Sequence, residues 1–179
     1  MSVRPLLIRP LEARDETTVR GWLAVFLRQH QDWWAAGYGL TGYGQLPLAA
    51  LPELVERDWQ ELEQAAASVH SLVALLEPGG LEPGGQAAGI VRAGVRADRT
   101  MGFQIGVLQW IYVAPEVRGQ GGADKLMRCA LAWMDTRNVA GREVFVTALN
   151  PAAVALYRRH GFEVADYRML ARAVPPTEF

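Results

Sequence analysis

The chain of 179 residues has a single cysteine, Cys129, so no disulfide can form within it. Cys129 falls in a helical stretch and reads as a small core residue, because no His or Asp pattern points to a reactive thiol. There are three histidines, His30, His70 and His160. None has metal-ligand spacing with a partner, so no metal site is expected. His160 reads instead as a helix-end residue favoured by the dipole. No apolar run reaches the length of a membrane span. The N-terminus, with Arg4, Arg9 and Glu12, lacks the pattern of a secretory signal. A cytoplasmic location without a membrane partner is the expectation. The formal net charge is −1. That argues against a nucleic-acid partner held by bulk charge, but not against a local basic site.

Half of the residues are hydrophobic and about a fifth are charged, the profile of an ordinary globular domain. The length suits one domain over 1–179, with a core of its own. A first short strand is expected at 6–8. Val19, Trp22, Leu23, Phe26, Leu27 and His30 recur at helical spacing, which predicts a helix starting near Asp15 or Thr17. Residues 32–44 hold four glycines among Trp33, Trp34, Tyr38 and Tyr43, which predicts a loop. A second helix is expected over about 51–67, with Leu54, Val55, Trp59 and Leu62 on one face. Its acids Glu53, Glu56, Asp58, Glu61 and Glu63 read as a solvated face. Strands are expected at 72–76, 87–96 and 102–113. Two Pro-Gly-Gly turns predict a flexible hairpin tip at 77–87. After them come a helix ending near 138–141, a strand at 143–149, a short helix at 151–160 and a last strand at 162–171. A frayed tail is expected at 175–179. This order predicts an α+β fold built on a central sheet.

Two segments carry chemistry. The first is Val113-Ala-Pro-Glu-Val-Arg118-Gly-Gln-Gly121-Gly-Ala123, between the strand ending at Val113 and the helix of Leu126, Met127, Ala130, Trp133 and Met134. A helix start leaves backbone N–H groups unpartnered, and its dipole favours negative charge. Glycines let a ligand approach the backbone. The arrangement predicts a cradle for a phosphate or pyrophosphate, with Arg118 as an added positive group. It lacks both the Gly-Lys-Ser/Thr end of a nucleotide loop and the G-x-G-x-x-G spacing of a dinucleotide site. The second segment is Asn150-Pro-Ala-Ala-Val-Ala-Leu-Tyr157-Arg-Arg-His-Gly161-Phe162.

Together these segments resemble the GCN5-related N-acetyltransferase (GNAT) family. The first is similar to its Val-x-Pro-x-x-Arg-Gly-x-Gly-x-Gly/Ala acyl-CoA signature, with Ala123 at the last small position. The second is similar to its Asn-x-x-Ala-x-x-Leu-Tyr-x-x-x-Gly-Phe segment. The motifs cover roughly residues 105–170. The resemblance implies a mixed, mostly antiparallel sheet flanked by helices. In it the strand ending at Val113 and the strand at 143–149 lie parallel and splay apart around the pantetheine arm. It implies acetyl-CoA as co-substrate and transfer of its acetyl group to a primary amine by direct attack. Backbone groups of Arg118, Gly119, Gln120, Gly121, Gly122 and Ala123 would hold the pyrophosphate. Those of Ile111, Tyr112 and Val113 would meet the pantetheine.

The resemblance makes Tyr157 the general acid for the leaving thiolate, a role open to a phenol with a reference pKa of ~10. Asn150 has two roles open to it, a helix N-cap before Pro151 and a contact with the cofactor arm. The loop with Trp33, Trp34, Tyr38 and Tyr43 lies where the family builds its acceptor site. A general base is not evident, because 102–112 contains no Asp or Glu. A water chain, a carboxylate from elsewhere (Asp32, Glu53 or Glu56) and an acceptor amine of low pKa all remain open. The acceptor is a small-molecule or peptide amine of unspecified identity, and a homodimer is an open option. Two rivals stand beside the enzyme. One is a non-catalytic acyl-CoA-binding module of the same fold, and the other is a phosphate-ligand domain unrelated to CoA.

Overall fold

A computed structural model describes residues 6–38, 50–78, 86–98, 100 and 102–167, with only the backbone given for 34–38 and 78. Five strands form one sheet in chain order: β1 (Leu6–Pro10), β2 (Ser71–Pro78), β3 (Gly89–Ala97), β4 (Gln104–Val113) and β5 (Gly141–Val144). Pairing is antiparallel from β1 to β4 and parallel between β4 and β5. Helices α1 (Glu16–Tyr38) and α2 (Leu51–Ala67) cover one face. Helices α3 (Gly122–Asp135) and α4 (Pro151–Arg159) cover the other. The central strands are therefore apolar on both sides, as in β3, where Ile90 and Val91 are both fully buried.

The two cores follow from helical periodicity. Val19, Trp22 and Leu23 of α1 and Val55, Trp59 and Leu62 of α2 close over Leu75, Ile90 and Trp110. On the opposite face Leu126, Met127, Ala130 and Met134 of α3 join Leu156 and Tyr157 of α4 over Leu76, Val91 and Leu108. Leu108 and Trp110 are two residues apart, yet they lie in opposite cores. A β-bulge explains this: Arg92 pairs with Trp110 and Ala93 with Leu108, so Gln109 is an extra residue in β4.

Four expectations need correction. Residues 32–38 belong to α1, not to a loop, because 32–36 hold no glycine and Gly37 is tolerated near the helix end. The strand expected at 143–149 stops at Val144, and Phe145 is left 84% exposed. Residues 162–167 form no strand. The acidic face of α2 is not wholly solvated, because Asp58 is half-buried. Most of the expected hairpin tip (79–85), the rest of the expected loop (39–44, with Tyr43), the end of the expected last strand (168–171) and the expected tail (175–179) lie outside the described residues. No helix among the described residues is long and apolar enough to cross a membrane.

Candidate active site

β4 and β5 pair only from Ile105 with Gly141 to Leu108 with Val144. From Gln109 to Val113 no described strand covers the outer edge of β4. Ala114 N–H donates to the Ala88 carbonyl at 2.9 Å. Antiparallel residues alternate between edges, so Tyr112 turns its backbone groups to β3, and Ile111 and Val113 turn theirs outward. Arg118 supports this assignment: its Nε donates to the Val113 carbonyl at 3.0 Å. The Tyr112 ring lies 5.3 Å from that of Trp22, and the Arg118 guanidinium sits over it at 5.8 Å.

After β4, one turn of 3-10 helix (Pro115–Val117) leads into the glycine segment. Gly119 and Gly121 have φ of 77° and 78°, the left-handed region that side chains resist. A Cβ at either would meet nothing within 4 Å, so the space above the turn is open. Gly121 is the N-cap of α3 and offers no side-chain cap. The first-turn N–H groups of α3 therefore face that space without an intrahelical partner. Gly122 is a packing position, where a Cβ would come within 2.6 Å of Leu76 Cδ2. Ala123 packs against the α3-side core, and Gln120 Nε2 donates to the Glu116 carbonyl at 3.3 Å.

Two charged residues in the first turn of α3 are drawn away from the cradle. Asp124 meets His160 Nε2 at 3.0 Å and Arg159 at 3.4 Å. Burial pushes its carboxyl up, but the His160 and Arg159 interactions outweigh that and leave it below the usual carboxylate range. Lys125, the only lysine of the chain, donates to the Leu6 carbonyl and ties α3 to β1. Arg118 remains the cation at the turn.

α4 begins with Asn150, whose Oδ1 accepts from Ala153 N–H at 3.1 Å, and Pro151 follows at the first turn. The N-cap role is thus present in the structure. Tyr157 lies two turns on, 8% exposed, in the same core as Leu108, with its ring edge-on to Phe162. Burial pushes its phenol up to about 12, so it holds its proton at neutral pH.

Of the expected acceptor residues, Trp33 is half-buried, with its ring 5.3 Å from His30. The side chains of Trp34 and Tyr38 lie outside the described residues. Of the expected carboxylates, Asp32 and Glu53 are exposed, and Glu56 pairs with Arg20 at 2.6 Å. The acids that turn toward the sheet are Asp58 and Glu61. They line a recess between α1, α2 and the β4 bulge. A signal for them was present in the sequence: Asp58 lies three residues after buried Val55 and four before buried Leu62, at the margin of the apolar stripe. Among the described residues no three His, Cys, Asp or Glu side chains cluster to hold a metal.

A model of the Acetyltransferase (GNAT) family matches residues 32–162. No curated protein matches the sequence. Among solved structures the chain is similar to an aminoglycoside antibiotic 6'-N-acetyltransferase, AAC(6')-Ih, from Acinetobacter baumannii. The identity is 18% and the TM-score 0.60, over 96% of this chain and 100% of that one. It is similar to AAC(6')-Iy in complex with the bisubstrate analogue CoA-S-monomethyl-acetylneamine, at 18% identity and TM-score 0.60, over 95% of this chain and 99% of that one. It is also similar to a Trypanosoma brucei acetyltransferase, at 16% identity and TM-score 0.60, over 94% of this chain and 100% of that one. At these identities the likeness establishes a shared fold.

Proposed function

Because the chain belongs to the GNAT acetyltransferase family, we propose that it is an acetyl-CoA-dependent N-acetyltransferase acting on a primary amine. One observation carries the reading. The outer edge of β4 from Gln109 to Val113, bare among the described residues, runs straight into a helix start without a side-chain cap and with two left-handed glycines. An extended, amide-bearing arm that ends in a pyrophosphate needs both features, in that order.

Acetyl-CoA supplies the acetyl group as a thioester. Outward N–H and C=O groups of Ile111 and Val113 pair with the amides of the arm. N–H groups of Arg118 to Ala123, with the Arg118 guanidinium, hold the pyrophosphate. Each helix-end contribution is worth only about 0.3–1 kcal/mol, so several must act together. The amine nitrogen forms the new C–N bond as the C–S bond breaks, and the amine gives up one proton to solvent. Tyr157 hydroxyl gives its proton to the departing sulfur and regains one from solvent. No carboxylate lies on β4 to take the amine's proton.

That last fact favours a second reading, a non-catalytic module that binds acyl-CoA in the same cradle. One experiment separates the two. Thiol release from acetyl-CoA is followed against a panel of amines, with wild type and Tyr157→Phe side by side. Release with one amine class, weakened in the variant, supports the enzyme. Binding of acetyl-CoA without release for any amine favours the module. Thermal stabilisation by ATP or NAD as strong as that by CoA would sink both.

A further inference from the structure

Arg92 and Trp110 are directly paired across β3 and β4. Both side chains face the recess beside the β4 bulge. Arg92 Nε and Trp110 Nε1 are buried donors without a hydrogen-bond partner. Trp110 is 7% exposed. Buried N–H groups are rarely left unpaired, and these two belong to side chains that line one recess. The recess holds about 170 Å³, room for a small head group.

The rest of the lining narrows the chemistry. Leu23, Phe26 and Leu62 are apolar. Asp58 and Glu61 bring two carboxylates, and Arg57 and Arg92 bring two guanidinium groups. Arg57 holds Asp58 at 2.7 Å, and Arg92 reaches Glu61 at 3.4 Å. The lining carries no net charge, so it does not select a simple anion or cation. It suits a group that offers an oxygen and an amine together beside an apolar side chain. The position fits as well: Gln109 lines the recess and is the first β4 residue past the parallel pairing, where the slot opens.

We propose that this recess is the acceptor subsite, and that it takes an α-amine next to a carbonyl, whose oxygen bridges Arg92 Nε and Trp110 Nε1. The proposal rests on the acetyltransferase reading for its use, but not for its test. It also bears on the missing base. An α-amine of the peptide N-terminal kind has a pKa of ~7.7–8.0 and is partly neutral already, unlike a lysine amine at ~10.4. Asp58 and Glu61 lie in the same recess to receive the ammonium form.

The probes are L-leucinamide, L-leucine and isoamylamine, which shares the side chain and amine but has no carbonyl. The readout is the indole N–H signal of Trp110 in isotope-labelled protein, assigned by its loss in Trp110→Phe. Signals of Trp22 and Trp59 report whether that variant is folded. Leucinamide or leucine should move the Trp110 signal, and isoamylamine should not. A response to leucinamide alone indicates a peptide-like N-terminus, and a response to leucine alone a free amino acid. Arg92→Lys, which keeps the charge but lacks Nε–H, should weaken the binding about tenfold. In turnover, Trp110→Phe should raise KM for the same acceptor about tenfold at unchanged kcat and acetyl-CoA affinity. A signal unmoved by either carbonyl probe, or moved equally by isoamylamine, overturns the subsite and leaves the two donors to water. Because the readout needs no acetyl-CoA, a failure of thiol release with every amine would count against the enzyme alone.

Discussion

Arg118 Nε donates to the carbonyl of Val113, five residues back, at 3.0 Å, while its guanidinium lies over the Tyr112 ring at 5.8 Å. One side chain thus pins the last outward carbonyl of β4 and stands at the mouth of the glycine turn. A planar guanidinium does both from one rigid fork of donors, whereas an ammonium is a single point charge. Arg118→Ala is expected to weaken acetyl-CoA binding about tenfold, and Arg118→Lys nearly as much. Titration calorimetry measures both, and an unchanged Kd would remove Arg118 from the cradle.

Tyr157→Phe should lower kcat about a hundredfold, within the range of general acid catalysis, and leave the acetyl-CoA Kd unchanged. A second effect appears in alkali. The folded phenol is pushed up to about 12 by burial. A raised folded pKa gives stability that is whole below the unfolded value near ~10 and is lost as pH rises toward about 12. Wild type should therefore lose up to about 2 kcal/mol over that window from this group. Urea titrations at stepped pH should show a shallower alkaline decline in the variant.

Asp15 is 3% exposed and grips Arg9 through two hydrogen bonds of 2.7 Å, while accepting the Glu12 N–H at 2.9 Å. Burial raises its carboxyl, but the Arg9 bonds, the Glu12 N–H and the nearby arginines together hold it below the usual range. A depressed folded pKa gives stability that is present above the unfolded value near ~3.9 and is lost as pH falls through the folded value. Asp15→Asn is expected to cost about 2–3 kcal/mol at neutral pH, moderated because Arg9 keeps Glu77. The variant should also lose less stability than wild type on acidification below pH ~4. Denaturant curves at both pH values check the two statements.

Two glycines should respond differently to alanine. At Gly89 a Cβ would lie 2.8 Å from the Tyr112 carbonyl oxygen, a backbone atom that cannot swing away. Gly89→Ala should cost about 1–3 kcal/mol and disturb the pairing of β3 with β4. At Gly121 the space is open but φ is 78°. Gly121→Ala should cost about 1–2 kcal/mol of stability through backbone strain alone. Its effect on acetyl-CoA affinity should exceed that of Gly89→Ala. Thermal unfolding with and without acetyl-CoA distinguishes the two cases.

The glycine turn and the Asn150 cap were legible in the sequence because each is set by local backbone chemistry. Gly119 and Gly121 take a conformation that few residues adopt, and Asn150 caps the helix that Pro151 starts. The helical spacing of apolar residues marked the buried faces of α1, α2 and α3. What escaped depends on partners distant in the chain. Residues 145–149 have strand composition, but strand formation needs a neighbour, and Phe145 already lies out of the sheet. The bulge at Gln109 has no local mark, because it exists only relative to Arg92 and Ala93 opposite. Asp58 read as solvated because it stands at the margin of the buried stripe, whereas Glu61 is exposed as expected. The orphan donors of Arg92 and Trp110 exist only once the sheet has formed.

The short β5 has a consequence for handling the protein. A β-edge with unpaired amides is a template on which another chain can add a strand. Between Gln109 and Val113 the described residues leave such a strip, flanked by exposed Phe145 and Val146. Nature commonly blunts an edge with lysine or proline, and this strip has neither. A bound cofactor arm would occupy the strip as a non-peptide guard. Concentrated protein should therefore cloud sooner when stripped of CoA than when saturated with it.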